Sequence, residues 1–176
     1  SEEASRLGQT LQVHIAIDTG MSRVGFLPSE ETIEAIKKIA SLPRIEIRGI
    51  FTHFATADEK DKTFTHEQFK RFMWVCTRLE NEGVHIPIRH CCNSAATLEM
   101  PQYHLDMVRP GIIQYGCAPS PDVSLEGFDF RPVMSLRCCA AHIKLIDKGA
   151  TVSYGRHFTC DQRRKIAVLP VGYADG

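Results

Sequence analysis

Up to residue 118 the chain alternates between short β-branched runs and segments with helical periodicity, and the runs break off at Gly, Asp or Asn turns. Strands joined through helices run parallel, because a right-handed crossover is the short connection that packs back onto the sheet. "LQVHIAIDTG" alternates before its Asp-Thr-Gly turn, and "SEETIEAIKKIASL" follows with Ser29 as the N-cap of a helix. "RIEIRGIFTHF" reads as a second strand, "THEQFKRFMWVCTRLENEG" as a helix ending at Gly83, and "IPIRHCCNS" as a third strand with a short helical "SAATLEM" behind it. "LDMVRPGIIQYG" reads as a fourth strand. The expected class is α/β, with a parallel sheet that is either doubly wound or part of a (β/α)8 barrel.

The alternation then stops. "APSPDVSLEGFDFRP" is rich in Pro, Ser and Asp and has no period, and after it come "MSLRCCAAHIKLIDKG", "TVSYGRHFT" and "RRKIAVLPVGYADG", β-rich with no helix between them. We read residues 1–118 as one domain, 119–133 as a linker and 134–176 as the beginning of an all-β domain. A closed barrel takes eight βα units and about 250 residues. Four units are too few, so the sheet is either small and open or a segment of something longer.

Composition removes several functions. Formal net charge is zero and the pI is about 7.1, so no basic field exists to gather nucleic acid or an anionic membrane surface. Apolar runs such as "KIAVLPVGYA" are too short to span a bilayer, and "SEEASRLGQT" has acid where a signal peptide needs a basic head. The expected location is the cytoplasm. Seven cysteines include the adjacent pairs Cys91–Cys92 and Cys138–Cys139, placed in apparent strands with their side chains on opposite faces. None shows Cys-x-x-Cys spacing, so we expect buried reduced thiols and no metal.

In parallel sheets ligands bind at the carboxyl ends of the strands, and "DTGMSRVG", "THFATAD", "HCCNSAA" and "VRPGI" all fall there. Asn93-Ser94 opens a helical turn and offers a hydroxyl and free N–H groups to an anion. Gly111 admits close approach of a ligand, so its N–H and that of Ile112 can serve the same anion. Arg109, set in an apolar stretch, needs a receiver. Each residue also has a plain structural reading. His53 can be a satisfied strand-end histidine, Arg109 can pair with Asp106 or Asp175, and Asn93-Ser94 can be a simple helix cap. Tyr154 and Tyr173 can be half-buried strand residues, and Asp18 is a turn former.

Six segments in order, "DTGMSRVGF", "GIFTHFATADE", "HCCNSAA", "MVRPGIIQYG", "VSYG" and "PVGYADG", resemble the alanine racemases, pyridoxal 5'-phosphate enzymes of fold type III. The resemblance implies about the C-terminal half of a (β/α)8 barrel followed by the start of a β-domain. It also implies a homodimer with shared active sites and a small amino-acid substrate, with L- and D-alanine interconverted. It assigns Ser94, Asn93, Gly111 and Ile112 to the cofactor phosphate, Arg109 to the pyridine nitrogen and Arg23 to the phenolic oxygen. Tyr154 becomes the catalytic acid/base for one face of Cα, His53 its supporting neighbour beside the cofactor, and Tyr173 a substrate-binding residue. Two departures accompany it. No "K-A-N-A-Y-G"-like motif supplies the Schiff-base lysine, so the chain as it stands is expected to be inactive alone. Ala16 stands where many members carry a modified lysine that supports Arg23. Serine or serine/alanine racemase is the alternative within the enzymes, and a non-catalytic pyridoxal phosphate or Cys/His metal-binding module the alternative outside them.

Overall fold

A computed structural model describes residues 1–175. The chain divides into two compact units, the first Ser1–Val133 and the second from Met134 onward. After a short helix α1 (Glu2–Arg6), the first unit runs β1 (Leu11–Ala16), α2 (Glu30–Ala40), β2 (Ile45–Phe51), α3 (Thr63–Asn81), β3 (Ile88–His90) and α4 (Ser94–Glu99). The three strands form one parallel sheet in the order β1-β2-β3. An α/β unit with helical crossovers is what the alternation predicts.

Local chemistry explains the element ends. Ser29 accepts a hydrogen bond from the N–H of Thr32 at 3.3 Å and so caps α2. At the end of α3, Gly83 takes φ +80°, and the N–H groups of Gly83 and Val84 donate to the carbonyls of Glu80 and Leu79 at 3.0 and 2.9 Å. That pattern closes the last turn, and a side chain at Gly83 would strain it. Thr65, Gln68, Phe72, Val75, Cys76 and Leu79 form the buried stripe of α3 at helical spacing. Their apolar members meet Ile33 and Ile36 of α2 and Ile15, Ile17 and Ile50 of the sheet in one core. Each fully buried side chain of this size contributes about 1.5–3 kcal/mol.

Two sequence expectations are corrected. The fourth strand does not form: residues 104–111 run beside β3 with two backbone hydrogen bonds, Asp106 N–H to the Arg89 carbonyl and Arg109 N–H to that of Cys92. The carboxylate of Asp106 takes the Arg89 N–H at 2.9 Å where a backbone carbonyl would stand in a ladder, and Pro110 then ends the run without an N–H of its own. The cysteine pairs also differ from expectation. β3 stops at His90, so Cys91 and Cys92 leave the pleat and both thiols reach the Tyr103 carbonyl, at 3.1 and 3.2 Å. They do not point to opposite faces. Burial pushes the Cys76 thiol up to about 12, and the contact with Cys92 together with burial raises Cys91, so both remain protonated. Cys138 and Cys139 lie outside any strand and are exposed.

The second unit is all-β apart from single helical turns. β4 (His142–Ile146) pairs antiparallel with β7 (Arg164–Val168), and β5 (Thr151–Val152) with β6 (Phe158–Thr159). Among the described residues no helix is long and apolar enough to cross a membrane.

Candidate active site

The chain leaves β1 through a turn that Asp18 builds, its carboxylate accepting from the N–H groups of Gly20 and Ser22 at 3.0 and 2.9 Å. Beyond β2 lie Thr52 and His53, beyond β3 Asn93 and Ser94, and at the end of the extended segment Arg109 and Gly111, followed by Ile112. An open cleft of about 380 Å³ is lined by His53, Asn93, Ser94, Arg109, Gly111 and Ile112 together with Met21, Phe54, Ala55, Asp58, Ala95 and Pro119. Six of the nine residues singled out from the sequence thus share one wall. Arg23 does not line it. Its side chain is exposed, yet its charge is felt at His53. Tyr154 and Tyr173 stand in the second unit, both fully exposed.

The receivers of Arg109 are on the page. One Nη donates to His90 Nδ1 at 2.7 Å; the other donates to the Thr52 carbonyl at 2.8 Å and to His53 Nδ1 at 3.3 Å. The guanidinium also lies over the Phe51 ring, 5.3 Å from its centroid. Neither suspected acid is its partner: Asp106 pairs with Arg89 at 3.0 Å, and Asp175 accepts from the Gly172 N–H. Among the described residues no carboxylate stands within salt-bridge distance of Arg109. Its charge is held by neutral acceptors only, and its Nε–H is left without a protein acceptor, so it remains free for an electron-rich ligand atom.

A guanidinium can only donate, so the Nδ1 atoms of His53 and His90 both accept and each neutral ring carries its proton on Nε2. Burial first, then the Arg109 charge and His14, brings His90 down to about 4, and burial with Arg109 and Arg23 lowers His53. Both imidazoles are therefore neutral near pH 7. The unfolded chain takes up a proton at His90 near pH ~6.5 while the folded one does not, so the stability of the first unit falls as pH drops from ~6.5 to ~4 and levels off below. The expected loss from His90 is about 2–3 kcal/mol. Urea unfolding followed through Trp74, the single tryptophan, measures it. A pH-independent midpoint across that window would contradict the neutral pair.

Asn93 is a cap: its side-chain oxygen accepts from the Ala96 N–H at 3.1 Å and its amide donates to the Phe54 carbonyl at 3.4 Å. Asn93→Ala is expected to cost about 1 kcal/mol of stability, read by the same unfolding curve. Ser94 Oγ accepts from the Gly111 N–H at 2.8 Å. That bond occupies the Gly111 amide, which the sequence offers directly to an anion, and leaves the hydroxyl proton free to donate. The Ile112 N–H has no protein acceptor among the described residues. One hydroxyl and one amide thus converge at the end of the cleft nearest Gly111.

Sequence reasoning missed five residues that hold this site. His90 and His14 share a hydrogen bond at 2.8 Å behind Arg109. Gln68 is fully buried on α3; its amide donates to Thr19 Oγ1 at 3.2 Å and to the His53 carbonyl at 3.1 Å, while its oxygen accepts from the Ala55 N–H at 2.8 Å. Thr52 bonds Thr19 through their hydroxyls at 2.7 Å. A polar residue in the buried stripe of a helix was the available signal for Gln68. A smaller cavity of about 230 Å³ between α3 and the start of β3 contains the Arg89–Asp106 pair, whose charges satisfy one another.

Comparison with known proteins gives the family. The family model "Alanine racemase, N-terminal domain" matches residues 1–119 and "Alanine racemase, C-terminal domain" residues 133–176. The chain belongs to the alanine racemase family. An alanine racemase of Clostridium tetani (strain Massachusetts / E88) is 53% identical over 176 residues, covering 100% of this chain and 46% of that protein. A solved alanine racemase of Clostridium difficile 630 superposes with TM-score 0.85 at 43% identity, over 99% of this chain and 46% of that one. A second structure of it, in complex with cycloserine, gives TM-score 0.78 at 40% identity over 99% and 44%. The chain spans about half the length of the relatives it matches.

Proposed function

We propose that this chain is the part of a pyridoxal 5'-phosphate-dependent alanine racemase that holds the cofactor's phosphate and ring nitrogen. The first unit, residues 1–118, is then the C-terminal half of a (β/α)8 barrel, 119–133 the linker and 134–176 the opening of the β-domain. The reading rests on one observation above all: a guanidinium with no carboxylate partner, held by neutral acceptors, lines the same cleft as the Ser94 hydroxyl and the Ile112 amide.

Those residues fit the group. Among the described residues the Ser94 hydroxyl and the Ile112 N–H are donors without protein acceptors, as a phosphate requires, and Arg109 keeps donors for an aromatic nitrogen. Among the cleft's described lining residues none is a lysine, so the lysine that ties the cofactor down comes from another part of the protein. Bound there, pyridoxal phosphate supplies an electron sink for the carbanion left when Cα loses its proton. Arg109 cannot give up a proton near neutral pH, so it donates a hydrogen bond to the ring nitrogen and leaves it unprotonated. An unprotonated ring nitrogen would make the bound group a weaker electron sink, so this role of Arg109 would favour return of a proton to Cα. His53 remains neutral beneath the same cation and presents Nε2–H away from it. Tyr154 acts as acid and base at one face of Cα, Tyr173 binds substrate, and Arg23 reaches the phenolic oxygen. The protein works in the cytoplasm as a homodimer.

Serine or serine/alanine racemisation shares these residues and is separated by substrate. The metal-binding alternative finds less support: among the described residues no three of His, Cys, Asp and Glu come together to hold a metal. The test is D-alanine formation from L-alanine by the protein that carries this chain, with L-serine in parallel. Faster turnover of serine transfers the assignment, and no racemisation of either overturns it. Ser94→Ala removes one charge-assisted hydrogen bond, so affinity for pyridoxal phosphate is expected to fall at least about tenfold. Fluorescence titration of that variant reads it.

A further inference from the structure

His14 sits on β1 and His90 on β3, with β2 between them, yet His14 Nδ1 and His90 Nε2 are 2.8 Å apart. Two features of β2 allow this. The register slips between Val13 and His14, passing over Arg48, so His14 lies beside Gly49. A Cβ on Gly49 would stand 2.5 Å from ring atoms of His14, so only glycine leaves room for the imidazole to cross. Two residues on, on the same face of β2, Phe51 stacks on the His90 ring with centroids 5.1 Å apart and planes at 15°.

We propose that His14 is a positioning residue for Arg109, acting through the ring of His90, and that Gly49 is the gap that seats it. Direction of donation makes the chain one-way. Arg109 can only donate, so His90 Nδ1 accepts and His90 Nε2–H donates to His14 Nδ1. His14 thereby holds the His90 ring in the one orientation whose Nδ1 meets Arg109, and that ring supplies the acceptor at one edge of the guanidinium. Without an acceptor at position 14, the buried Nε2–H of His90 is orphaned and the ring regains its alternatives. The functional consequence rests on Arg109 being the cofactor contact; the hold on the His90 ring does not.

The test is nitrogen-resolved NMR of the histidine rings and arginine Nη protons in this chain at neutral pH. His90 is expected as the Nε2–H tautomer with Nδ1 accepting. In His14→Leu the His90 Nε2–H loses its acceptor, and both it and the Arg109 Nη protons exchange at least about tenfold faster. His14→Asn, which sets an amide oxygen near the old Nδ1 position, restores both, and Gly49→Ala reproduces the defect with the imidazole still present. Trp74 fluorescence confirms the fold of each variant. Unchanged exchange of the His90 Nε2–H and of the Arg109 Nη protons in folded His14→Leu overturns the proposal, as does failure of the asparagine to rescue. If the hold on the His90 ring is lost while affinity for pyridoxal phosphate is unaltered, the positioning of Arg109 stands and its role as cofactor contact falls.

Discussion

Arg109→Leu is expected to lower racemisation by the protein that carries this chain by about a hundredfold or more. On the proposed assignment the leucine removes the donor to the ring nitrogen, and it removes the hydrogen bond between Arg109 and His53. Charge-assisted bonds contribute about 1.5–3 kcal/mol each, and two of them correspond to roughly a hundredfold at the low end. Stability changes less, because two effects oppose. The acceptors on His90 and Thr52 lose their donor, while a half-buried cation without a counter-charge is no longer kept from water. The diagnostic companion is His90, which rises from about 4 only part of the way once the cation is gone, because burial, the larger cause, remains. Arg109→Lys keeps the charge but not the fork, so it can serve His90 or Thr52 and not both. It is expected to retain the low His90 value only in part. Steady-state rates and an NMR titration of His90 check the two halves. Near-normal activity in Arg109→Leu would remove Arg109 from the site.

Gln68→Leu is expected to produce the largest loss of stability, about 3–5 kcal/mol. Leucine is close in size and suits the apolar stripe of α3, so a packing argument alone predicts little change. Hydrogen bonding decides otherwise. The Ala55 N–H, the His53 carbonyl and the Thr19 hydroxyl all lose a partner at a position with no exposure, at about 1–3 kcal/mol for each group left unsatisfied. Thr19 keeps Thr52, and Arg71 still donates to the Thr19 carbonyl, so the sum stays below the maximum. Urea unfolding through Trp74 measures the loss. A change under 1 kcal/mol would show that water or a shifted loop replaces the amide. Glutamate at 68 keeps the acceptor for Ala55 and loses both donors, so it separates the two halves of the bridge.

Legibility differed between fold and site for a physical reason. Ser29, Asn93 and Gly83 act within a few residues of themselves, through caps and a left-handed turn, and their roles could be read from neighbours in the chain. The clustering of His53, Ser94, Arg109, Gly111 and Ile112 was also legible, since parallel topology gathers strand ends. The failed fourth strand was not: its apolar pattern is right, but a side chain, Asp106, takes the ladder position. Nor was the shared direction of Cys91 and Cys92, which depends on where β3 stops.

What the sequence by itself determined is the alternation that makes a parallel sheet, the place where it ends near residue 118, and the set of residues delivered to the strand ends. Each is periodic or local, and local sterics act before any partner is found. Only the tertiary structure decided what receives Arg109. Its acceptors come from Thr52, His53 and His90, and behind them His14 crosses a strand over Gly49 because the register slips by one residue. Register and distant hydrogen bonds are set by the packed sheet as a whole, and no spacing along the chain encodes them.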